Sequence, residues 1–265
     1  MTEILLAVLA LSILGLGFGI GLAYANRIFF VKTDPKIEKI LSVLPGTNCG
    51  TCGFAGCPAL AEAIAEGKAA PDACFSGGYA VHEKITGILG VPVKIKARQV
   101  ATLICAGGKR APDKHRYYGP KNCVLANMYQ GGHKGCEFGC IGFASCVKAC
   151  AFDAMAMDDN DLPAIDKDKC TACGKCVAIC PKNILELRPA QSHIWVACNS
   201  TDKAPAVMKL CGYGCIACGK CVAACKFSAI RMVNNLAKID YNNCTNCRQC
   251  VLVCPTKCIK TDYNN

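Results

Sequence analysis

Read for the spacing of apolar and polar positions, the chain opens with an unbroken apolar run and then changes character. From Ile4 to Asn26 there are 23 residues without a charge, and at about 1.5 Å per residue such a helix spans a hydrocarbon layer of about 30 Å. The pattern predicts one transmembrane helix. A cleaved signal peptide is the competing reading, but Met1-Thr2-Glu3 supplies no basic n-region and the apolar run is too long. Arg27, Lys32, Lys36 and Lys39 follow the helix, so the excess of basic residues places the rest of the chain in the cytoplasm, where thiols stay reduced. Gly15 with Gly19 and Gly17 with Gly21 form two overlapping Gly-x-x-x-Gly pairs. They let another membrane helix approach closely, although glycine is common in such helices anyway. Next, Asp34-Pro35 reads as an N-cap followed by proline at the first helical position, with Ile37, Ile40, Leu41 and Leu44 on one face until Pro45-Gly46.

Beyond that helix the apolar runs shorten and cysteine takes over as the organising residue. Cys49-x2-Cys52-x4-Cys57, a helix-like stretch from Pro58 to Gly67, and then Cys74 bring four thiols to one module. By itself this set fits a four-iron cluster or a structural zinc. The second half decides for the cluster, because Cys170-x2-Cys173-x2-Cys176-x3-Cys180-Pro181 and Cys244-x2-Cys247-x2-Cys250-x3-Cys254-Pro255 reproduce the bacterial ferredoxin run. In two-cluster ferredoxins the fourth cysteine of each run ligates the other cluster, so such motifs come in pairs. The partners lie upstream, in Cys136-x3-Cys140-x5-Cys146-x3-Cys150 and Cys211-x3-Cys215-x2-Cys218-x2-Cys221-x3-Cys225. Cys150 and Cys225 are 75 residues apart and Cys170 and Cys244 are 74 apart, which marks an internal duplication. In each copy two short runs, Ala154 to Met157 with Ala164 to Asp166 and Ala229 to Val233 with Ala237 to Asp240, predict antiparallel strands beside the cluster loops.

The first copy departs from the pattern at Phe143, where the second has Cys218, and Cys136 is the expected substitute ligand. The expected sets are therefore Cys49, Cys52, Cys57 and Cys74; Cys136, Cys140, Cys146 and Cys180; Cys170, Cys173, Cys176 and Cys150; Cys215, Cys218, Cys221 and Cys254; and Cys244, Cys247, Cys250 and Cys225. Five [4Fe-4S] clusters result. Cys105, Cys123, Cys198, Cys211 and Cys258 remain. The first four could hold a sixth cluster or be small buried hydrophobes. The predicted class is α+β: an anchor over residues 1–30, a 4Fe-4S domain over 31–90, a connector over 91–130, and two-cluster ferredoxin domains over 131–190 and 191–265.

Composition agrees. Cysteine accounts for 25 of 265 residues; the odd count and close spacing disfavour a disulfide scaffold. The formal charge of +11 alone suggests a nucleic-acid partner. Five clusters, each about −2 with its thiolates, bring the total near zero, and the sequence carries no nucleic-acid motif. The Lys94, Lys96, Arg98, Lys109, Arg110, Lys114 and Arg116 group could steer an acidic electron carrier or simply be a solvated face. No phosphate-cradling or dinucleotide glycine motif follows a strand, so neither flavin nor NAD is expected on this chain. His82, His115, His133 and His193 are isolated and read as structural.

This order of parts, a membrane helix, the Cys49 to Cys74 domain and ferredoxin repeats, resembles the B subunits of the Rnf complexes, the membrane-bound ion-translocating ferredoxin:NAD+ oxidoreductases. The resemblance implies a relay that takes electrons from soluble reduced ferredoxin and passes them to other membrane and peripheral subunits at the cell (inner) membrane. Many members carry one two-cluster domain, so the duplication leaves the order of electron entry and exit open. A relay subunit of a hydrogenase or formate dehydrogenase, and a membrane-anchored iron-sulfur sensor, are the alternatives.

Overall fold

A computed structural model describes residues 2–28, 34–90 and 97–263; Lys94 and Lys96 of the basic group lie outside these. The N-terminal helix runs over Thr2–Ile28 (α1), and its stretch Leu11–Ile28 is long and apolar enough to cross a membrane. Its side chains from Leu11 to Phe18 are exposed, as expected of an element whose natural solvent is lipid or a partner helix.

The next helix, Pro35–Val43 (α2), starts where the sequence places it: Asp34 Oδ1 accepts from the amide of Lys36 at 2.8 Å. Ile40 and Leu44 are buried, but Leu41 is exposed, so the apolar face is narrower than the periodicity suggests. With Cys57–Ala65 (α3) and Gly78–Leu89 (α4), α2 builds a small core around Ile40, Leu60, Ile64 and Ile85 that also includes Cys57 and Cys74.

The rest of the chain is one topology used twice. In the first copy the strands are Gln99–Leu103 (β1), Met155–Met157 (β2), Pro163–Ile165 (β3) and Leu185–Pro189 (β4), with short helices Cys123–Met128 (α5), Ser145–Lys148 (α6) and Lys175–Ile179 (α7). β1 pairs antiparallel with β4, and β2 with β3. In the second the strands are Ile194–Val196 (β5), Ile230–Val233 (β6), Leu236–Ile239 (β7) and Ile259–Thr261 (β8), with Ala204–Leu210 (α8), Lys220–Ala223 (α9) and Gln249–Val253 (α10). Here β5 pairs with β8 and β6 with β7. The correspondence reaches single hydrogen bonds, since Asp166 N donates to Ala154 O and Asp240 N to Ala229 O. The inner hairpins match the predicted strands to within a residue. The outer pairs go beyond the sequence pattern: β1 falls in the segment that reads as a connector, yet it supplies an edge of the first copy.

The two copies abut. Trp195 Nε1 donates to Leu103 O at 3.1 Å, Tyr241 Oη lies 3.4 Å from Glu186 Oε1, and Arg188 of β4 donates to Asp262, which follows β8.

Candidate metal centres

Cysteine loops that hold iron need tight backbone turns with amides facing sulfur, and the structure repeats one solution four times. In Cys170-Thr-Ala-Cys-Gly-Lys-Cys176 the residues flanking Cys173 are left-handed, Ala172 at φ 57° and Gly174 at 75°. The same pair recurs at Ala217 and Gly219, at Asn246 and Arg248, and at Gly142 and Ala144 around Phe143. A further left-handed residue stands three positions after Cys150, Cys180, Cys225 and Cys254 in turn, namely Asp153, Asn183, Ser228 and Lys257. Left-handed turns cost a side-chain-bearing residue about 1–2 kcal/mol, so their recurrence shows that the loop shape is dictated by its contents. They also form the amide concavities that suit anions.

Among the described residues no cysteine is joined to another in a disulfide. Among the described residues no group of three or more His, Cys, Asp or Glu is placed to hold a single metal ion. Zinc would draw four sulfurs to within about 2.3 Å of one point, whereas thiols spaced around a cavity suit a cube of four irons.

The thiols gather around shared cavities and cores, and at Cys136 the neighbours differ from the expected set. Cys74 is pushed up by burial and then by Cys57, Cys52 and Cys49, which places those four together. Cys150, Cys170, Cys173 and Cys176 line one small cavity. In the second copy Cys221 faces Cys215, Cys218 and Cys254. Cys250 has Cys244, Cys221 and Cys247 as neighbours, and Cys225 packs on the core that holds both loops.

Cys136, however, does not join Cys140, Cys146 and Cys180. Cys123 does: it lines one cavity with those three, and burial followed by Cys123 and Cys180 pushes Cys146 up to about 12. Cys136 instead lines another cavity with Cys105, Cys198 and Cys211, a cavity whose wall Cys140 shares, and burial followed by Cys105, Cys198 and Cys211 pushes it up to about 11. The reason is an insertion. Between Cys105 and Cys136 lie 18 more residues than between their counterparts Cys198 and Cys211, and this insertion carries Cys123 into the place that Phe143 leaves without sulfur. Asn122 caps α5 through its side chain, and Cys123 N donates to Ser145 Oγ at 2.9 Å, which fixes the entry. The freed Cys136 then matches Cys211, as Cys105 matches Cys198. Each copy gives two thiols to a site between them.

Hydrogen bonds onto sulfur surround these sets. Cys140 N donates to Cys105 Sγ at 3.5 Å, Ala101 N to Cys170 Sγ at 3.4 Å, Ser200 N to Cys198 Sγ at 3.4 Å and Cys258 N to Cys254 Sγ at 3.3 Å. At the first set Ser76 Oγ lies 2.9 Å and Thr51 Oγ1 3.4 Å from Cys49 Sγ; these contacts bring that thiol down to about 6. Cys258, buried and outside every set, packs against Cys198, Cys215 and Cys254. Of the isolated histidines, His82 shares a 2.8 Å hydrogen bond with Cys74 O and His133 stacks on Phe143.

Comparison with known proteins agrees with this partition into modules. Residues 44–76 match a putative Fe-S cluster family model, and residues 139–185 and 214–258 each match a 4Fe-4S dicluster domain. The chain is 45% identical over 263 residues to the B subunit of the Na(+)-translocating ferredoxin:NAD(+) oxidoreductase complex of Acetobacterium woodii, covering 99% of this chain and 79% of the relative. It belongs to the family of Rnf complex B subunits. The B subunit of the proton-translocating ferredoxin:NAD(+) oxidoreductase complex of Clostridium ljungdahlii is 42% identical, over 98% of this chain and 93% of its own length. The B subunit of the ion-translocating oxidoreductase complex of Methanosarcina acetivorans is 40% identical, over 93% and 94%. As an Rnf B subunit with two dicluster domains, the protein is an iron-sulfur electron relay.

Proposed function

We propose that six [4Fe-4S] clusters form a single file through this subunit, carrying electrons from soluble reduced ferredoxin toward other subunits of its complex. The supporting observation is that the segments carrying successive thiol sets lie side by side. The Cys170 loop shares a cavity wall with Asp72 and Phe75 of the first iron-sulfur domain. Within the first dicluster domain the Cys176 and Cys146 sets share one core. Cys140 of the next set donates its amide to Cys105 of the interdomain set, and Cys198 of that set packs with Cys215 of the following one around Cys258. The order is then Cys74, Cys176, Cys146, Cys136, Cys221 and Cys250, naming each set by one member. Closely spaced clusters shorten each electron transfer, and hydrogen bonding and burial tune each potential.

Electrons enter at the second dicluster domain. Cys218 and Cys247 are the exposed cysteines among the described residues, and Lys220 and Arg248 lie beside them in sequence, suited to an acidic carrier. α1 anchors the other end in the membrane as a single span, with its glycines open to a neighbouring helix, and the bulk of the chain is cytoplasmic. The chain makes no bonds itself; NAD+ reduction belongs to other subunits.

Anaerobic mixing of the full-length protein with reduced ferredoxin, followed by electron spin resonance, tests this. The wild type reduces all clusters. Cys136→Ala leaves those beyond the gap, toward the N-terminus, oxidised on the same timescale, and Cys176→Ser abolishes ferredoxin-dependent turnover of the complex. Equal reduction of every remaining cluster in Cys136→Ala rejects the single file.

A further inference from the structure

Where the outer strand pairs of the two copies meet, a cleft of about 310 Å³ opens beside Cys105. Its charged lining is unbalanced: Arg110, Lys167, Arg188 and Lys260 face only Asp158 and Asp262. Asp158 is occupied locally, accepting from the amides of Asn160 and Leu162 at 2.9 and 2.8 Å. Asp262 is occupied by Lys167 and by Arg188 Nη2 at 3.1 Å, with His193 Nδ1 at 3.7 Å.

Among the described residues two of these cations have no carboxylate partner, although Arg110 also lies near Cys211. Arg110 and Lys260 come from different copies, and both lie over the ring of Tyr213, 4.7 and 5.5 Å from its centre. Like charges brought to one ring repel unless an anion joins them. Independently, Arg188 is 1% exposed and stacks on Trp195 at 4.8 Å. Its Nε donates to Thr102 Oγ1 at 2.6 Å, yet its Nη1 is buried with no hydrogen-bond partner. A buried guanidinium normally has its donors satisfied. The field agrees with this picture: burial, then Lys167 and Arg188, hold His193 below the ordinary histidine value.

We propose that this cleft binds a small dianion, an oxyanion group of the kind carried by a phosphate ester or a dicarboxylate, clasped between the two dicluster domains. The guanidinium forks of Arg110 and Arg188 and the ammonium of Lys260 suit the oxygens of such a group. Bound there, the anion stitches the copies together and, next to Cys105, makes the interdomain cluster harder to reduce.

The test uses the full-length, cluster-loaded protein in detergent, titrated anaerobically by calorimetry at fixed ionic strength with phosphate, succinate and, as the monoanion control, chloride. The expected result is one saturable site per chain for phosphate or succinate, weakened about tenfold or more by Lys260→Gln and by Arg110→Gln, and unchanged by Lys121→Gln. Preference for phosphate assigns a phosphoryl ligand, and preference for succinate a dicarboxylate. Both variants leave Arg188 and the core intact, so they do not depend on the fate of a buried substitution. Absence of a saturable site, equal binding of chloride, or undiminished affinity in Lys260→Gln and Arg110→Gln overturns the proposal. Cluster content and ferredoxin reduction in the same preparation report separately on the relay.

Discussion

Iron content distinguishes the ligand sets without any assumption about electron flow. Six four-iron sites give about 24 irons per chain. Removing one of four thiolates costs a cluster a covalent ligand, so Cys136→Ala is expected to hold about 20 irons. The double variants carry the decisive arithmetic. Cys136 and Cys211 line the same cavity, so Cys136→Ala/Cys211→Ala also holds about 20 irons. Cys123 lines a different one with Cys140, Cys146 and Cys180, so Cys136→Ala/Cys123→Ala falls to about 16 irons. Colorimetric iron and sulfide on anaerobically purified protein, normalised to amino-acid analysis, resolve steps of four atoms. Were Cys136 a ligand beside Cys140, as its place in the sequence suggests, Cys123→Ala would leave that cluster in place. A Cys136→Ala/Cys211→Ala protein that falls to about 16 irons would refute the assignment of both to one site.

Three further outcomes follow from named contacts. Ser76→Ala removes a hydrogen bond onto Cys49 Sγ; if that bond is worth about 1 kcal/mol more to the reduced cluster, its potential drops by about 40 mV in a redox titration, and an unchanged potential excludes the contact. Ala172 at φ 57° is strained where Gly174 at 75° is not, so Ala172→Gly stabilises the loaded protein by about 0.5–1 kcal/mol in denaturant unfolding, while Gly174→Ala costs about as much. Gly108 has φ +55°, and a Cβ there collides with the carbonyl oxygen of Asn160, so Gly108→Ala costs about 2–4 kcal/mol and loosens the corner that carries Cys105; wild-type thermal stability would show that this loop gives way freely.

The inner hairpins and the ferredoxin loops are legible in the sequence because their signals are local: a cysteine every three residues, a turn, an alternating run. What the sequence hides depends on pairing across distance. β1 and β4 are 82 residues apart from Leu103 to Leu185, and a five-residue strand bearing no periodic contrast, Gln-Val-Ala-Thr-Leu, does not announce a partner. The same holds for Cys123 and Cys136. Spacing makes Cys136 the natural substitute for the sulfur missing at Phe143, since it is nearer in sequence. The contradicting signal lies in the repeat itself: 31 residues from Cys105 to Cys136 against 13 from Cys198 to Cys211, with one cysteine inside the surplus. Aligning the cysteines outside the ferredoxin runs pairs Cys105 with Cys198 and leaves Cys123 to fill the gap.

A site built from two cysteines of each half has a consequence for how the molecule is made. Cys105 and Cys136 leave the ribosome well before Cys198 and Cys211, so iron delivered to the early half finds only half a nest at the junction. On the proposed assignment the other five sites each draw all their ligands from one module and can be filled as that module folds; the junction can be filled only when both modules exist and have docked. It is therefore the last to mature and the first to be missing when iron is scarce, and a chain lacking it is severed at mid-length with both ends otherwise complete.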